Sequence, residues 1–431
     1  MPMRHAVAAR FVGLAVFAVI LPGLLLPQSA CGQQRTNSSR AGRTAAGPHI
    51  YKSTNFHVMT DLPREGAHEL LERLETMHRL LVAYWGRRNP RPIEMYVVEN
   101  LDHWPREVLR GMEQQGLESL RNGQGLTVTR VISQGNRFIS KAVVYAVADR
   151  GMPQHEAVHA YCGHAFGASG PVWYAEGMAE VGQYWRENDK SVTASAYAIR
   201  YLRNSPARPL NEIVNSPLET TGDSWQNYTW RWALCHLLGY NENYTKRFKP
   251  LGLALLGGRR VNFWQVYGTQ AQEIEFEYRL FLKDIEAGYR CDLCSWDWKT
   301  RFRNLAGSSS VSARIRANRG WQASRLRVRA GHTYRFTSTG SWMLSQDADE
   351  LTADGDDQGR GRLTGILFED YELSEPFELG ADGTFTAPQD GNLYLRCDDA
   401  WGEIADNRGT ISVNLILEKE TAAAPPEPNS P

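Results

Sequence analysis

Residues 154–185, QHEAVHAYCGHAFGASGPVWYAEGMAEVGQYW, constrain this chain more than any other stretch, because they ask for two helices held side by side around a polar centre. His155 and His159 stand four apart, so on an α-helix both imidazoles leave one face and can grip a single ion. Glu156 lies between them, beside the ion but off the two-histidine line, where a carboxylate can take a proton from water. Glu176 is the candidate third ligand. Glu180, one turn further, can reach a ring N–H of a ligating histidine and fix its tautomer. Gly177 and Gly182 cost helix stability but let two helices approach closely. Pro153 and Pro171 suit the first turns of the two helices, where a missing N–H does no harm. The bland alternative is an amphipathic helix whose histidines are buried and hydrogen-bonded.

The choice of third ligand decides the class. In metzincins a histidine follows in H-E-x-x-H-x-x-G-x-x-H, but here Cys162 holds the glycine slot and Ala165 the histidine slot. His164 is therefore expected at the surface or behind the ligands. The W-x-x-E-G-x-A-E string from Trp173 to Glu180 instead resembles the gluzincins, zinc peptidases of the thermolysin and alanyl-aminopeptidase type, whose third ligand is a glutamate on the following helix. The interval from His159 to Glu176 is shorter than in those two families, which implies a tighter loop and a closer likeness to compact peptidase-MA-like proteins of bacterial envelopes. The resemblance implies a zincin-like α+β fold, zinc held by His155, His159 and Glu176, Glu156 as general base, and a peptide or protein substrate.

In gluzincin-like proteins a tyrosine or histidine from a later helix stabilises the oxyanion. Tyr228, in the helical pattern Asn227 to Leu238, is the residue expected to do so here, with His236 the weaker candidate and a core aromatic the alternative for Tyr228. The G-x-M-E-N motif by which alanyl aminopeptidases anchor a free amino terminus is not reproduced. Gly111-Met112-Glu113-Gln114 lacks a residue and reads as a polar helix surface.

At 431 residues, with 42% hydrophobic residues and zero formal net charge, the chain is long enough for two globular domains. It carries no overall electrostatic case for nucleic acid. Arg4 and Arg10 precede an apolar run from Phe11 to Leu26, an export signal over residues 1–30. Cys31 after Ser29-Ala30 has the placement of a lipoprotein cleavage site, although Gln28 stands where such sites carry leucine. A lipid anchor through Cys31, ordinary secretion and an uncleaved anchor all stay open. The expected location is the periplasm, cell envelope or extracellular space. Residues 31–48 read as a tether and 421–431 as a disordered tail. With export, Cys291 and Cys294 in CDLC are expected to form a short-loop disulfide, while Cys162 and Cys235 are either bridged or buried thiols.

Residues 49–300 read as one α+β domain. It is expected to contain strands at Phe56 to Met59 and Ile93 to Val98, an apolar helix face from Ala67 to Tyr84, and a hairpin turning at Gly135-Asn136. Ala142 to Val147 reads as a buried strand before the zinc helix, and the resemblance to gluzincin-like folds implies that it is the sheet edge on which a peptide substrate lays its backbone. Phe276, Leu280 and Phe281 are expected core positions at the helical end of this domain. From about Ala306 the texture changes to short alternating strands, so residues 306–420 read as an all-β sandwich. Arginines dominate its first part, from Arg314 to Arg329, which usually signifies a solvated face; acids dominate from Asp347 to Asp406. The segment LYLRCDDAWGEIADNRGTISVNLI resembles the calcium-dependent galactose-binding lectins of bacteria. That resemblance implies side-chain calcium ligands at Asp399, Asp406 and Asn407, a backbone carbonyl ligand at Glu403, and glycans as further partners. The rival to the whole reading is a non-catalytic envelope glycan-binding protein with a structural or vestigial zinc site.

Overall fold

The computed structural model describes residues 17–18, 47–134, 137–186, 188–215 and 225–419. Most of the expected export signal, Cys31 with nearly all of its tether, the hairpin tip at Gly135 and Asn136, and the tail lie outside the described residues. The chain divides into two compact units. One comprises Met1–Asp189, Arg208–His236 and Arg247–Val266, and the other Lys190–Ala207, Leu237–Lys246 and Tyr267–Pro431.

The first unit is α+β. Its sheet contains β1 (Phe17–Ala18), β2 (His49–Lys52), β3 (Phe56–Thr60), β4 (Ile93–Val98), β5 (Leu126–Gln134) and β6 (Arg137–Val147), in the order β1-β5-β6-β4-β3-β2. β3, β4 and β6 run parallel, and β5 is antiparallel to β6. Helix α1 (Arg64–Trp85) buries Ala67, Leu70, Leu74, Met77 and Leu81, the three-and-four periodicity legible in the sequence, with Trp85 rather than Tyr84 as its buried last aromatic. Two short helices, α2 (Arg106–Gly111) and α3 (Gln114–Arg121), precede the hairpin; α4 (Met152–Phe166) and α5 (Val172–Tyr184) follow it.

One expectation needs correction. β6, which contains Ala142 to Val147, is not an edge. It lies between β5 and β4, and with Ala142, Val144 and Ala146 at most 1% exposed it is buried as an interior strand must be. β5 lies on the other side of β6, and its far rim is paired by the two-residue β1 at Val128 and Thr129.

The second unit holds the all-β sandwich. A five-stranded sheet contains β8 (Gln322–Val328), β10 (Leu363–Glu369), β11 (Glu372–Leu373), β12 (Phe377–Glu378) and β14 (Gly391–Cys397). A four-stranded sheet is ordered β13-β9-β15-β7, from β7 (Ser310–Arg316), β9 (Thr333–Met343), β13 (Asp382–Thr386) and β15 (Arg408–Lys419). Alternating inward residues of both sheets, among them Val311, Ile315, Leu326, Phe336, Leu393, Ile411 and Val413, form one core. The helix Ala271–Asp284 belongs to this unit. Its Phe276 and Leu280 pack with Trp296, Trp321, Ile366 and Tyr394 in a second apolar cluster.

Glu277 on that helix is buried, and burial pushes its carboxyl pKa up. Five donors meet it: Asn241 Nδ2 at 2.6 Å, Asn243 Nδ2 at 2.9 Å, Tyr244 OH at 2.5 Å, the Trp296 amide at 2.9 Å and Trp298 Nε1 at 2.8 Å. The two cysteines of CDLC are free thiols, not the expected disulfide; Cys294 accepts a hydrogen bond from the Tyr289 hydroxyl instead. Cys162 and Cys235 are buried free thiols. Among the described residues no helix is long and apolar enough to cross a membrane.

Candidate metal centre

Helix α4 starts where Asp149 Oδ1 accepts the amides of Gly151 at 2.8 Å and Met152 at 2.6 Å, satisfying donors the helix cannot pair itself. Pro153 occupies its first turn, and Gly167 ends it in the left-handed conformation at φ 78°. Every residue from Pro153 to Ala165 is buried, because the helix is covered by the sheet on one side and by α1 and α5 on the other. The chain then returns through residues 167–171 into α5, with Pro171 as its N-cap. This is the tight connection that the short His159-to-Glu176 interval implied.

Two glycines set the helix spacing. A Cβ on Gly182 would lie 2.4 Å from Val158 Cγ2 on α4. A Cβ on Gly177 would lie 2.7 Å from the Arg231 carbonyl and 2.4 Å from Cys235 Sγ, both on the helix Trp225–Tyr240. Gly182 thus admits α4, and Gly177 admits a third helix.

The result is a buried triad. His155 Nε2 and His159 Nε2 are 3.2 Å apart, and Glu176 Oε2 lies 3.3 Å from the first and 3.5 Å from the second. His155, His159 and Glu176 are the one group of three such side chains among the described residues whose ligand atoms converge closely enough for a metal ion. These separations fit zinc: tetrahedral bonds of 2.0–2.1 Å require donor atoms about 3.3–3.4 Å apart. Glu180 Oε1 lies 2.9 Å from His155 Nδ1, which places the ring proton there and turns Nε2 towards the other ligands. Burial opposes charge on His155, yet its hydrogen bonds to Glu176 and Glu180 prevail and hold its pKa well above the usual imidazole value. Burial likewise opposes ionisation of Glu176, but the two histidines prevail and hold its carboxyl well below the usual range.

Glu156 is fully buried, and desolvation raises its pKa against the pull of His159 and His155. Its Oε2 meets Thr127 Oγ1 at 2.7 Å, while Oε1 has no hydrogen-bond partner. Tyr228 is 2% exposed and sets its ring edge-on to His155 at 5.8 Å; its hydroxyl also lacks a partner. His236 packs instead against Trp232, at 5.3 Å. Two residues missed from sequence belong here. Thr127 comes from β5, and a Cβ on Gly125 just before that strand would lie 2.7 Å from Glu156 Oε1. A glycine at the start of a strand was the available signal.

His164 is not at the surface. It is 2% exposed, and its Nε2 accepts the Ala142 amide at 2.8 Å. Five residues beyond His159 it faces the sheet rather than the triad, and burial lowers its pKa to about 4. Glu113 of the Gly111-Met112-Glu113-Gln114 string forms an ion pair with Arg130 at 2.5 Å.

In the sandwich, Asn407 Nδ2 donates to Asp399 Oδ2 at 2.9 Å, and the buried Asn407 Oδ1 has no partner. Glu403 and Asp406 share the loop between β14 and β15 with them.

No protein-family model matches this chain, and no curated protein matches it. Among solved structures it is similar to the EclA N-terminal domain, described as a PllA-like lectin, at 18% identity, covering 25% of this chain and 96% of that one with a TM-score of 0.21. It is similar to IMPa from Pseudomonas aeruginosa in complex with an O-glycopeptide at 14% identity, covering 43% of this chain and 22% of that one, TM-score 0.17. The IMPa metallopeptidase in complex with T-antigen aligns at 11% identity over 56% of this chain and 27% of its own, TM-score 0.16. The chain thus spans about a quarter of the length of the IMPa structures, and likenesses this distant carry no inference about substrate or mechanism.

Proposed function

We propose that this chain is an exported zinc-dependent peptidase of the gluzincin type, with His155, His159 and Glu176 as the residues that would hold the metal. The observation that carries the reading is the buried triad at zinc-compatible spacing with an unpartnered carboxyl oxygen of Glu156 beside it. When bound, zinc supplies a Lewis acid and an acidified water, the chemistry that amide hydrolysis requires.

Glu156 accepts the proton of the attacking water through Oε1 and returns it to the leaving amine. Its raised pKa suits a group that must hold that proton between the two steps. Tyr228 offers a buried phenol donor to the oxyanion, worth on the order of 3 kcal/mol at the barrier. Glu180 keeps His155 in one tautomer. The substrate backbone pairs with the rim of β5 outside the two residues that β1 covers, and Thr127 of that strand reaches the Glu156 carboxylate.

The same reading gives the sandwich a calcium ion held by Asp399, Glu403, Asp406 and Asn407 and a role in glycan binding. Support for the calcium seat is the buried, unpartnered Asn407 Oδ1 beside Asp399. The decisive experiment is Glu156→Gln with metal analysis and peptide-library digestion. Loss of cleavage with zinc retained is expected. A variant that cleaves at the wild-type rate rejects the mechanism, and zinc-loaded wild type that cleaves nothing at any pH favours the non-catalytic glycan-binding rival.

A further inference from the structure

The arginine-rich start of the sandwich is more than a solvated face. Along β7 exposed and buried residues alternate strictly, so Ser312, Arg314 and Arg316 all leave the outer side of the sheet. On β8 the pairing with β14 slips: Arg327 is opposite Asn392 and Ala323 opposite Tyr394, so three residues of β8 face one of β14. Arg325 sits in this bulge with φ 70°, a left-handed backbone that a side-chain-bearing residue adopts only when its surroundings impose it. Such bulges re-aim a side chain, and this one sends Arg325 outward.

These guanidiniums share one cleft. A cavity of about 680 Å³ within the second unit is lined by Arg314, Arg316, Arg319, Arg325 and Lys299, with the half-buried Trp298 also on its wall. A second cavity of about 340 Å³ has Arg325 in common with it and adds Arg301 and Arg303. The two carboxylates on the larger cavity are already engaged. Asp297 accepts from the amides and hydroxyl of its own turn, and Glu242 pairs with Arg319 at 3.2 Å. By contrast, Arg301, Arg314, Arg316 and Arg325 have no hydrogen-bond or ion-pair partner on their guanidinium groups among the described residues. A concave wall with five cations and two occupied acids has an unmet demand for anions.

We infer that this cleft binds an acidic oligosaccharide, a glycan chain bearing carboxylate or sulfate groups. Guanidinium forks match both groups in a bidentate way. Alternate residues of β7 repeat about every 7 Å, a spacing that suits charges recurring along a polymer rather than a single small anion. Trp298 supplies an apolar wall for a sugar ring. The chain's zero net charge gives no long-range field of the kind nucleic acid binding relies on. This inference stands apart from the metal centre and from the Asp399 loop.

The test is titration calorimetry of the full chain with oligogalacturonate (carboxylated), dextran sulfate oligosaccharide (sulfated), neutral dextran and single-stranded DNA, in 0.15 M salt with and without a calcium chelator. Expected is binding of at least one acidic oligosaccharide at least tenfold tighter than dextran and tighter than DNA, with the preferred probe identifying the acidic group. Arg314→Ala/Arg316→Ala should weaken it at least tenfold. Arg325→Gly should also weaken it while leaving the thermal midpoint unchanged or higher, since glycine adopts this backbone without strain. The proposal is overturned if neither acidic probe binds, if dextran or DNA binds as well, if the chelator abolishes binding, or if the folded Arg325→Gly protein binds like wild type.

Discussion

Thr127 Oγ1 lies 2.7 Å from the Glu156 carboxylate and 2.9 Å from the Glu156 main-chain carbonyl, so one hydroxyl serves both protonation states of that acid. When Glu156 is ionised, the hydroxyl donates to Oε2. When Glu156 carries the proton it has taken on Oε1, the hydroxyl can stay on Oε2 or turn to the carbonyl, and the proton remains available to the leaving amine. Thr127→Val keeps the shape and removes both options. Turnover should fall about tenfold, the worth of one hydrogen bond of roughly 1.5 kcal/mol, with zinc content unchanged by metal analysis. An unaltered kcat would remove Thr127 from the catalytic apparatus.

Gly125 leaves room for the other carboxyl oxygen. Gly125→Ala would put a methyl 2.7 Å from Glu156 Oε1 and 2.8 Å from Met152 Cγ, so the carboxylate must shift or the strand retreat. Overpacking of this kind costs about 1–3 kcal/mol. The expected result is a larger loss of peptidase activity than of thermal stability, read by parallel kinetics and melting.

Zinc loading should release a proton. Without metal, Glu176 and Glu180 favour the protonated form of His155 and hold its pKa well above the usual value, whereas a ligand must be neutral. Affinity should therefore rise with pH, about tenfold per unit for one proton released, until His155 is neutral before the metal binds. Calorimetry in buffers of different ionisation enthalpy measures the count directly; release near zero at pH 7 would show that His155 is already neutral.

Stability should fall in mild acid through His164. Its folded pKa of about 4 lies below the ordinary value of 6.5, so between these the unfolded chain binds the extra proton. The stabilisation is complete above pH 6.5 and is lost as pH drops towards 4, on the order of 3 kcal/mol in all. His164→Gln can still accept the Ala142 amide but does not titrate. Its melting temperature should decline less than that of wild type between pH 7 and 4.5.

Glu277→Ala should be among the most destabilising substitutions in the second unit. It takes the acceptor from five donors, three of them in buried hydrogen bonds, and each buried group left unsatisfied costs about 1–3 kcal/mol. A drop in melting temperature of only a degree would mean that water replaces the carboxylate.

Features written in local periodicity were legible before any coordinates. The four-residue step from His155 to His159, the glutamate at 176, the α1 face and the alternating strands of the sandwich each follow from one element's own geometry. What escaped depended on pairing between distant segments. Nothing local marks β6 as interior, because a buried edge strand and a buried central strand have the same apolar run; only the partners β5 and β4 decide it. His164 was misplaced for a related reason. Its partner is an amide of a strand earlier in the chain, and no spacing rule reaches that far. Arg325 shows a third limit, since a bulge arises from two strands of unequal length and neither sequence alone reveals it.

The contact at Gly182 has a consequence for how the centre would behave through cycles of loading and depletion. With less than a methyl's clearance between Val158 and the neighbouring helix, the gap acts as a fixed gauge, set by steric exclusion and not by the pull of a cation. A seat sized in that way keeps its dimensions when vacated, so recharging it asks for no refolding and little entropy.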